Sequence, residues 1–279
     1  MILVTGAAGP TGLSVIAALA ARGQAVRALA HRAEQREALL AAGAREVLLG
    51  DMIDAAAMRE ALGGVRALYH IPPGARPPEA LVLMGDTLLQ AAGEVGVALF
   101  VFHSVLHPQI EGLPHHRPKL LFEGRLLDSG LPFTVLQPTS YLQNWTGRLG
   151  EEALYVPWGV EARLTMVDLE EVAEVAARVL TEPGHLNATY ELCGGDVTVG
   201  EIAREMSVVL GKQVRAQQIP VAAWQEMLQK FGRSAGEAAL LGQMAQYYDS
   251  GRFRGNPQVL SWLLGRPPRT LAEVLRRRR

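Results

Sequence analysis

Short apolar runs alternate with longer stretches of helical periodicity over the first half of the chain. Six runs rich in Val, Leu, Ile or Phe have the character of buried strands: Ile2–Thr5, Ala25–Ala30, Glu46–Gly50, Arg66–Ile71, Ala98–His103 and Phe133–Gln137. Apolar residues three and four positions apart predict helices between them, at Thr11–Arg22, Glu34–Ala42, Asp54–Leu62, Glu79–Val95 and Pro118–Ser129. This alternation predicts βαβ units and therefore an α/β fold with a doubly wound parallel sheet.

The pattern becomes less regular after Pro138. We predict a long polar segment there, followed by these elements: a helix at Asp168–Leu180, a strand at Thr189–Cys193, helices at Val199–Leu210, Ala222–Phe231 and Ser234–Tyr248, and a last helix from Leu271. No Ser/Gly-rich linker separates the two halves. We expect a nucleotide-binding domain at 1–150 and a smaller α+β lobe at 151–279, which returns some helices and a strand to the first domain.

Composition and charge narrow the function classes. The 279 residues carry a formal net charge of -1, without the basic bias of proteins that neutralise nucleic-acid phosphates. Cys193 is the only cysteine, which excludes an internal disulfide and a cysteine-based zinc or iron–sulfur centre and favours a reducing compartment. Neither a signal-peptide pattern nor an uninterrupted membrane-length apolar run occurs. We expect a cytoplasmic protein that binds a small molecule rather than nucleic acid or membrane.

The strongest local motif runs from Thr5 to Gly12, between the first predicted strand and the first predicted helix. In the spacing G-x-x-G-x-x-G, Gly6 permits a tight turn, Gly9 lets the backbone approach a pyrophosphate, and Gly12 allows close packing of helix on sheet. The phosphates would lie at the helix N-terminus, beside Ala8, Pro10 and Thr11. We interpret this segment as a dinucleotide-binding turn; a purely structural turn is the alternative.

The ends of the next strands carry the specificity signals. The second predicted strand ends in Ala30, His31 and Arg32, where a carboxylate would select NAD; a guanidinium instead favours the 2′-phosphate of NADP. Arg32 as an ordinary surface residue is the alternative. Asp51, followed by Met52, comes after the third strand, and its carboxylate can accept from the adenine amino group or cap the next helix.

Two further loops are expected beside the ligand. The fourth strand runs into Ile71, Pro72 and Pro73, where backbone commonly passes the cofactor; the two prolines can also serve only to shape the loop. Pro138 follows the sixth predicted strand and is expected to flank the nicotinamide of the cofactor. Tyr141 and Asn144 follow as substrate candidates, with a role in the core as the alternative for Tyr141.

Together these motifs resemble the NmrA-like branch of the atypical short-chain dehydrogenases/reductases. The resemblance covers most of the chain and is carried by four segments: Thr5–Gly12, Gly50–Asp51, Leu131–Pro138 and Val167–Ala173. It implies a Rossmann-type domain of about seven strands, a small C-terminal substrate lobe, and a preference for NADP(H) over NAD(H). It also implies one of two functions, because some members reduce quinones or related electrophiles and others are non-catalytic NADPH/NADP sensors that bind regulatory proteins.

The catalytic pattern of the wider superfamily consists of a Ser after the fifth strand and a Tyr-x-x-x-Lys on the next helix. Two residues of this chain match that pattern, and one departs from it. Ser104 matches the serine by position and Lys119 the lysine, whereas His115 stands where the tyrosine is expected. An imidazole can also transfer a proton. Pro118, however, argues that the helix begins near Lys119, so helical spacing from His115 is not assured. Both Ser104 and Lys119 also count among the expected cofactor contacts. Lys119 can hold the nicotinamide ribose or a substrate oxygen, with a plain surface lysine as the alternative.

The leading hypothesis is therefore an NADP(H)-dependent oxidoreductase that transfers hydride to a small electron-poor carbonyl such as a quinone. Reduction of a quinone requires little help from an acid catalyst. The missing tyrosine motivates the alternative, a redox sensor with a regulatory protein partner, and it weakens an epimerase reading. A homodimer is a further candidate assembly. The four histidines His103, His107, His115 and His116 lack the spacing of metal ligands on a helix, so we expect no metal.

Overall fold

The computed structural model describes residues 1–74 and 77–277, which form two compact units. Unit 1 comprises Met1–Gln109, His116–Pro138 and Leu169–Tyr190; unit 2 comprises Ile110–His115, Thr139–Asp168 and the chain from Glu191 onward. These bounds differ from the sequence-based division at residue 150, because the segment from Leu169 to Tyr190 packs within unit 1.

The elements up to Pro138 belong mainly to unit 1. In chain order they are β1 (Ile2–Val4), α1 (Pro10–Ala21), β2 (Val26–Ala30), a 3₁₀ turn (Ala33–Gln35), α2 (Arg36–Ala41), β3 (Glu46–Leu49), α3 (Ala55–Leu62), β4 (Ala67–His70), α4 (Pro78–Val95), β5 (Leu99–His103), a 3₁₀ turn (Pro114–His116), α5 (Arg117–Asp128) and β6 (Phe133–Pro138). All six predicted strands are present, with ends within about one residue of the prediction.

The remaining elements are shorter and more irregular. In chain order they are β7 (Ser140–Tyr141), α6 (Gln143–Thr146), β8 (Ala153–Val156), β9 (Leu164–Val167), α7 (Leu169–Thr181), β10 (Ala188–Leu192), β11 (Asp196–Val197), α8 (Val199–Leu210), β12 (Arg215–Gln218), α9 (Val221–Lys230), α10 (Ala235–Asp249), α11 (Gln258–Leu264) and α12 (Leu271–Arg276).

A seven-stranded sheet in the order β10-β6-β5-β4-β1-β2-β3 forms the centre of unit 1. The neighbours from β3 through β6 pair in parallel. Helices α3, α4 and α5 pack side by side, as do α1, α2 and α7. Because strand order reverses between β1 and β4, right-handed crossovers place these two helix groups on opposite faces. Leu3, Leu68 and Phe100 lie fully buried in the core beneath α3–α5. The predicted Rossmann-type fold is confirmed.

Unit 2 contains two small sheets, β11-β9-β7 and the parallel pair β12-β8. The expectation of a long polar segment after Pro138 is wrong, since β8 and β9 lie there and most of their residues are buried. Each is a four-residue run, too short to stand out by periodicity. Strand pairing stabilises both, β8 with β12 and β9 with β7 and β11. Trp158, Trp224 and Tyr248 form an aromatic cluster in this unit.

None of the helices in the described part of the chain combines the length and apolarity needed to cross a bilayer.

Candidate functional site

The turn between β1 and α1 is built around three glycines with different roles. Gly6 has a φ of +60°, and a Cβ there would lie 2.4 Å from the Ile71 carbonyl oxygen; a Cβ at Gly12 would lie 2.3 Å from that of Ala7. Both positions are therefore closed by the protein itself. A Cβ at Gly9 would meet only the Gly6 carbonyl oxygen, at 3.6 Å. Gly9 is the glycine that leaves open space, at the residue immediately before α1.

Helix α1 begins at Pro10, with Gly9 as its N-cap residue. The first turn of a helix leaves backbone N–H groups without intrahelical acceptors, and the helix dipole makes this end attractive to anions. Pro10 has no N–H of its own, but its ring fixes the φ angle of the first turn. The turn therefore presents N–H donors and open space to a phosphate group.

A cavity of about 550 Å³ opens at this turn, within unit 1. Its walls come from the loops at the carboxyl ends of β1, β2, β3 and β4, the region where open α/β sheets bind ligands. Twelve of the predicted cofactor residues line it: Gly6, Ala8, Gly9, Pro10, Thr11, His31, Arg32, Asp51, Met52, Ile71, Pro72 and Pro73. Gly12, Ser104, Lys119 and Pro138 are not among its described lining residues, and their cofactor roles stay predictions.

The loop after β2 is organised by Gln35. The Gln35 side-chain oxygen accepts hydrogen bonds from the backbone N–H groups of His31, at 3.0 Å, and Arg32, at 3.1 Å. Arg32 is exposed and makes no ion pair within the described ranges. Its guanidinium is thus a cation at the rim of the cavity whose charge no carboxylate of the described chain neutralises.

Asp51 lies on the same side of the cavity. One oxygen accepts from the Ile53 backbone N–H at 3.2 Å, and the other lies 3.9 Å from Nδ1 of His31. The alternative role of Asp51 as a helix cap is wrong. Asp54 caps α3 instead, accepting from the N–H groups of Ala56 and Ala57, because it is the residue directly before the first helical turn.

A second polar group lies at the carboxyl end of β5, also in unit 1. Ser104 continues the strand, and its backbone N–H donates to the Leu136 carbonyl at 2.8 Å. The Ser104 hydroxyl donates to Oε1 of Glu123 on α5. Gln137, on β6, donates its side-chain N–H groups to both Glu123 oxygens, each at 3.0 Å. Burial raises the Glu123 pKa, and the hydrogen bonds from Ser104 and Gln137 oppose that rise.

Lys119 lies one helical turn before Glu123, and burial lowers its pKa to about 8. No ion pair of Lys119 is found in residues 1–74 and 77–277. His103 shares a 2.6 Å hydrogen bond with the Tyr69 hydroxyl, and its pKa is lowered to about 3 by burial and then by the charges of Lys119 and His70. Next to a neutral imidazole, Lys119 is the group that can carry positive charge here.

The residues predicted for catalysis and substrate do not all fall in one unit. His115 lies in the 3₁₀ turn before α5 and belongs to unit 2, so it does not share helical spacing with Lys119. Tyr141, on β7, and Asn144, on α6, also belong to unit 2. Their substrate roles stay predictions.

A separate cavity of about 310 Å³ lies within unit 2, and Asn144 is one of its lining residues. Its other walls are mostly aromatic or aliphatic, and the aromatic ones include Trp145, Trp158 and Trp224. Arg148 adds a cation, with its guanidinium 5.6 Å from the centre of the Trp145 ring. The aromatic residues in this lining suit contact with a flat conjugated ring.

Sequence reasoning did not single out Gln35, Glu123 or Gln137. The spacing of Glu123 four residues after Lys119 on one helix was a usable signal, since i and i+4 residues share a face. Gln35 and Gln137 carried none, because an isolated glutamine is common on surfaces and strands alike. Within the described chain, no three His, Cys, Asp or Glu side chains lie close enough to share a metal ion.

The strand order, the switch point between β1 and β4 and the glycine turn at α1 together define a dinucleotide-binding protein of the Rossmann class. The model of the NmrA-like family matches residues 1–272. The chain belongs to the NmrA-like family, and the family prediction is confirmed.

Characterised relatives span nearly the whole chain. Quinone oxidoreductase 2 of Escherichia coli (strain K12) is 30% identical, over 98% of this chain and 96% of that protein. The NAD(P)H azoreductase of Xenophilus azovorans is 28% identical, over 98% of this chain and 96% of that protein.

Solved structures agree with this placement. The Escherichia coli NADPH-dependent quinone oxidoreductase in complex with NADPH has a TM-score of 0.86 at 29% identity, covering 99% of this chain and 98% of that one. The Citrobacter sp. triphenylmethane reductase complexed with NADP(H) has a TM-score of 0.86 at 25% identity, covering 100% of both chains.

Proposed function

We propose that this chain is an NADP(H)-dependent oxidoreductase that transfers hydride to a small electron-poor acceptor of the quinone class. The observation that carries the proposal is the cavity at the β1–α1 turn. Open space at Gly9 and the guanidinium of Arg32, which makes no ion pair within residues 1–74 and 77–277, flank one ligand-sized volume. Relatives named as a quinone oxidoreductase and an azoreductase, and structures that hold NADPH or NADP(H), support the same assignment.

The residues present fit the cofactor. The N-terminus of α1 and the space at Gly9 suit a pyrophosphate, which the Cβ of any other residue at position 9 would crowd. Arg32 suits a 2′-phosphate through bidentate hydrogen bonds. Asp51 still has an acceptor oxygen near the cavity for the adenine amino group. We therefore assign NADP(H), rather than NAD(H), as the preferred cofactor.

When bound, NADPH supplies the hydride. The chain must then position the acceptor and provide one proton to the reduced oxygen, and Lys119 is the group suited to this step. With its pKa lowered to about 8, the Lys119 ammonium is mostly protonated at pH 7 and is a better acid than an ordinary lysine. Lys119 is thus proposed to take the part that a tyrosine plays in the wider superfamily, and Ser104 is proposed as a contact to the bound ligand.

Unit 2 is proposed as the substrate lobe. Its aromatic cavity, which Asn144 lines, suits the flat conjugated rings of quinones. The names of the relatives point to the same chemistry, since quinones, azo compounds and triphenylmethane dyes are all conjugated acceptors. His115 and Tyr141 remain candidates for contacts to the acceptor.

A steady-state assay tests the proposal. Loss of NADPH absorbance is followed with a panel of benzoquinones and naphthoquinones, and with NADH in parallel. We expect enzyme-dependent turnover with NADPH preferred. A rate equal to the protein-free rate, together with tight NADPH binding, would contradict the reductase and favour the sensor alternative. A sensor must bind NADPH and NADP with clearly different affinities.

We also propose a cytoplasmic location and a small-molecule partner for this protein. The lone cysteine, Cys193, is buried and suits a reducing compartment such as the cytoplasm. The partner is a small molecule, and a homodimer or a regulatory protein remains a candidate macromolecular partner. Light scattering of the purified protein measures the number of copies, and cell fractionation tests the location.

A further inference from the structure

Ser104 and Gln137, at the carboxyl ends of β5 and β6, and Glu123, on α5, form one hydrogen-bonded chain, which we call the Ser104–Glu123–Gln137 triad. Oε1 of Glu123 accepts a hydrogen bond from the Ser104 hydroxyl, and both Glu123 oxygens accept from the Gln137 amide nitrogen. Ser104 and Gln137 are buried, and Glu123 is partly buried between them. Neither the catalytic pattern of the wider superfamily nor the proton step proposed for Lys119 uses Glu123.

The directions of these hydrogen bonds are set by chemistry. An amide nitrogen can only donate, and Gln137 offers its N–H groups to both oxygens of Glu123. A carboxyl group that receives donors on both oxygens is stabilised as the acceptor-only carboxylate. Glu123 must then accept from Ser104 as well. The single hydroxyl proton of Ser104 is thereby committed to Glu123, and only its lone pairs remain for a ligand.

The backbone reinforces this arrangement. The Ser104 N–H is held by the Leu136 carbonyl, one residue before Gln137, so the two strands fix Ser104 and Gln137 in adjacent register. Glu123 contacts both residues from α5. Lys119 lies one turn earlier on the same helix and makes no ion pair with Glu123. The Glu123 carboxylate therefore accepts hydrogen bonds from Ser104 and Gln137 and does not pair with the Lys119 ammonium.

We propose that Glu123 is a positioning residue that makes Ser104 a hydrogen-bond acceptor toward its ligand, and that Ser104 therefore recognises a donor hydroxyl. This inference rests on the proposed reductase function for the identity of the ligand. The hydroxyl belongs either to the sugar of the cofactor or to the reduced, hydroquinone-type product. Ser104 is not the proton donor to the carbonyl, and that step is left to Lys119.

The first experiment needs neither cofactor nor turnover. Carbon-13 NMR of the full chain, labelled at the glutamate carboxyl, follows the titration of Glu123, whose signal is identified by its loss in Glu123→Gln. Because the Ser104 hydrogen bond stabilises the carboxylate, Ser104→Ala should raise the Glu123 pKa. An unchanged Glu123 pKa in a folded Ser104→Ala protein would show that Ser104 does not donate to Glu123, and it would overturn the proposal whether or not the protein is a reductase.

The second experiment is a double-mutant cycle. Glu123→Met removes the acceptor at similar size and should weaken ligand recognition about tenfold, as expected for one misdirected hydrogen bond. Glu123→Gln keeps an acceptor oxygen and should retain more of the wild-type affinity. In a Ser104→Ala background, Glu123→Met should add no further loss, because Glu123 acts through Ser104. Asp128→Asn, an exposed carboxylate on the same helix, is the matched control.

The two sources of the hydroxyl give different readouts. If the cofactor sugar is the donor, Glu123→Met weakens NADPH binding, measured by fluorescence titration of the nucleotide. If the product is the donor, NADPH binding is unchanged and inhibition by an added hydroquinone weakens. Either result supports the proposal. Equal affinities for both ligands in wild type and Glu123→Met would overturn it, as would an additive loss in the Ser104→Ala background.

Discussion

The pKa of Lys119 makes the proton step measurable as a pH profile. Burial lowers this pKa to about 8, whereas an ordinary lysine titrates near 10.5. If the Lys119 ammonium donates the proton, kcat/KM should follow its protonated fraction. That fraction is about nine-tenths at pH 7 and about one-tenth at pH 9, so the rate should fall about tenfold over this range. A lysine with an ordinary pKa would lose only a few per cent.

The assay is kcat/KM for a quinone acceptor at saturating NADPH between pH 6 and pH 9.5. Lys119→Arg keeps a positive charge that does not titrate in this range, so its profile should lack the fall above pH 8. Lys119→Met should lower kcat/KM at pH 7 and also remove the fall. The control is Lys230→Met, at an exposed position at the end of α9, which should leave the wild-type profile unchanged.

A flat wild-type profile would refute the reasoning. So would a fall that persists with the same midpoint in Lys119→Arg, because another group would then be titrating.

Three further predictions follow from the geometry. Gly9→Ala should leave the unfolding free energy within about 1 kcal/mol of wild type but weaken NADPH binding about tenfold. Gly12→Ala should instead lower the unfolding free energy, because its Cβ would lie 2.3 Å from a carbonyl oxygen. Denaturant unfolding and nucleotide titration measure the two effects, and equal behaviour of the two variants would contradict these roles. Arg32→Asp should weaken NADPH about 10- to 100-fold while sparing NADH; unchanged NADPH affinity would mean that another residue selects the phosphate. His70 and His103 have pKa values lowered to about 3 from 6.5, so below pH 6.5 the unfolded chain binds protons that the folded chain does not. The unfolding free energy should therefore fall as pH drops below 6.5, by up to about 1.4 kcal/mol per pH unit for each histidine. Urea unfolding between pH 4 and 7 should show a weaker dependence of this free energy on pH in a folded His70→Asn variant, and an equal dependence would count against this account.

Local patterning was enough to predict the nucleotide-binding unit. Its strands are continuous apolar runs and its helices have clear periodicity, so β1 through β6 were predicted within about one residue. The motif from Gly6 to Gly12 predicts the turn correctly, because each glycine lies where a side chain would crowd the backbone or the ligand, or where φ is positive. The expectation failed after Pro138, where β8 and β9 are too short for periodicity to reveal them.

The sequence by itself therefore determined the order of the strands along the chain, the turn at the start of α1 and the position of Arg32 after β2. Only the tertiary structure decided which neighbours each polar group has. Glu123 accepts a hydrogen bond from the Ser104 hydroxyl, Gln137 donates to both Glu123 oxygens, and Tyr69 shares a hydrogen bond with His103. Backbone propensity acts between residues close in sequence, whereas these hydrogen bonds join side chains on separate strands and helices. Like the burial that lowers the pKa of Lys119, they form only when those elements pack together.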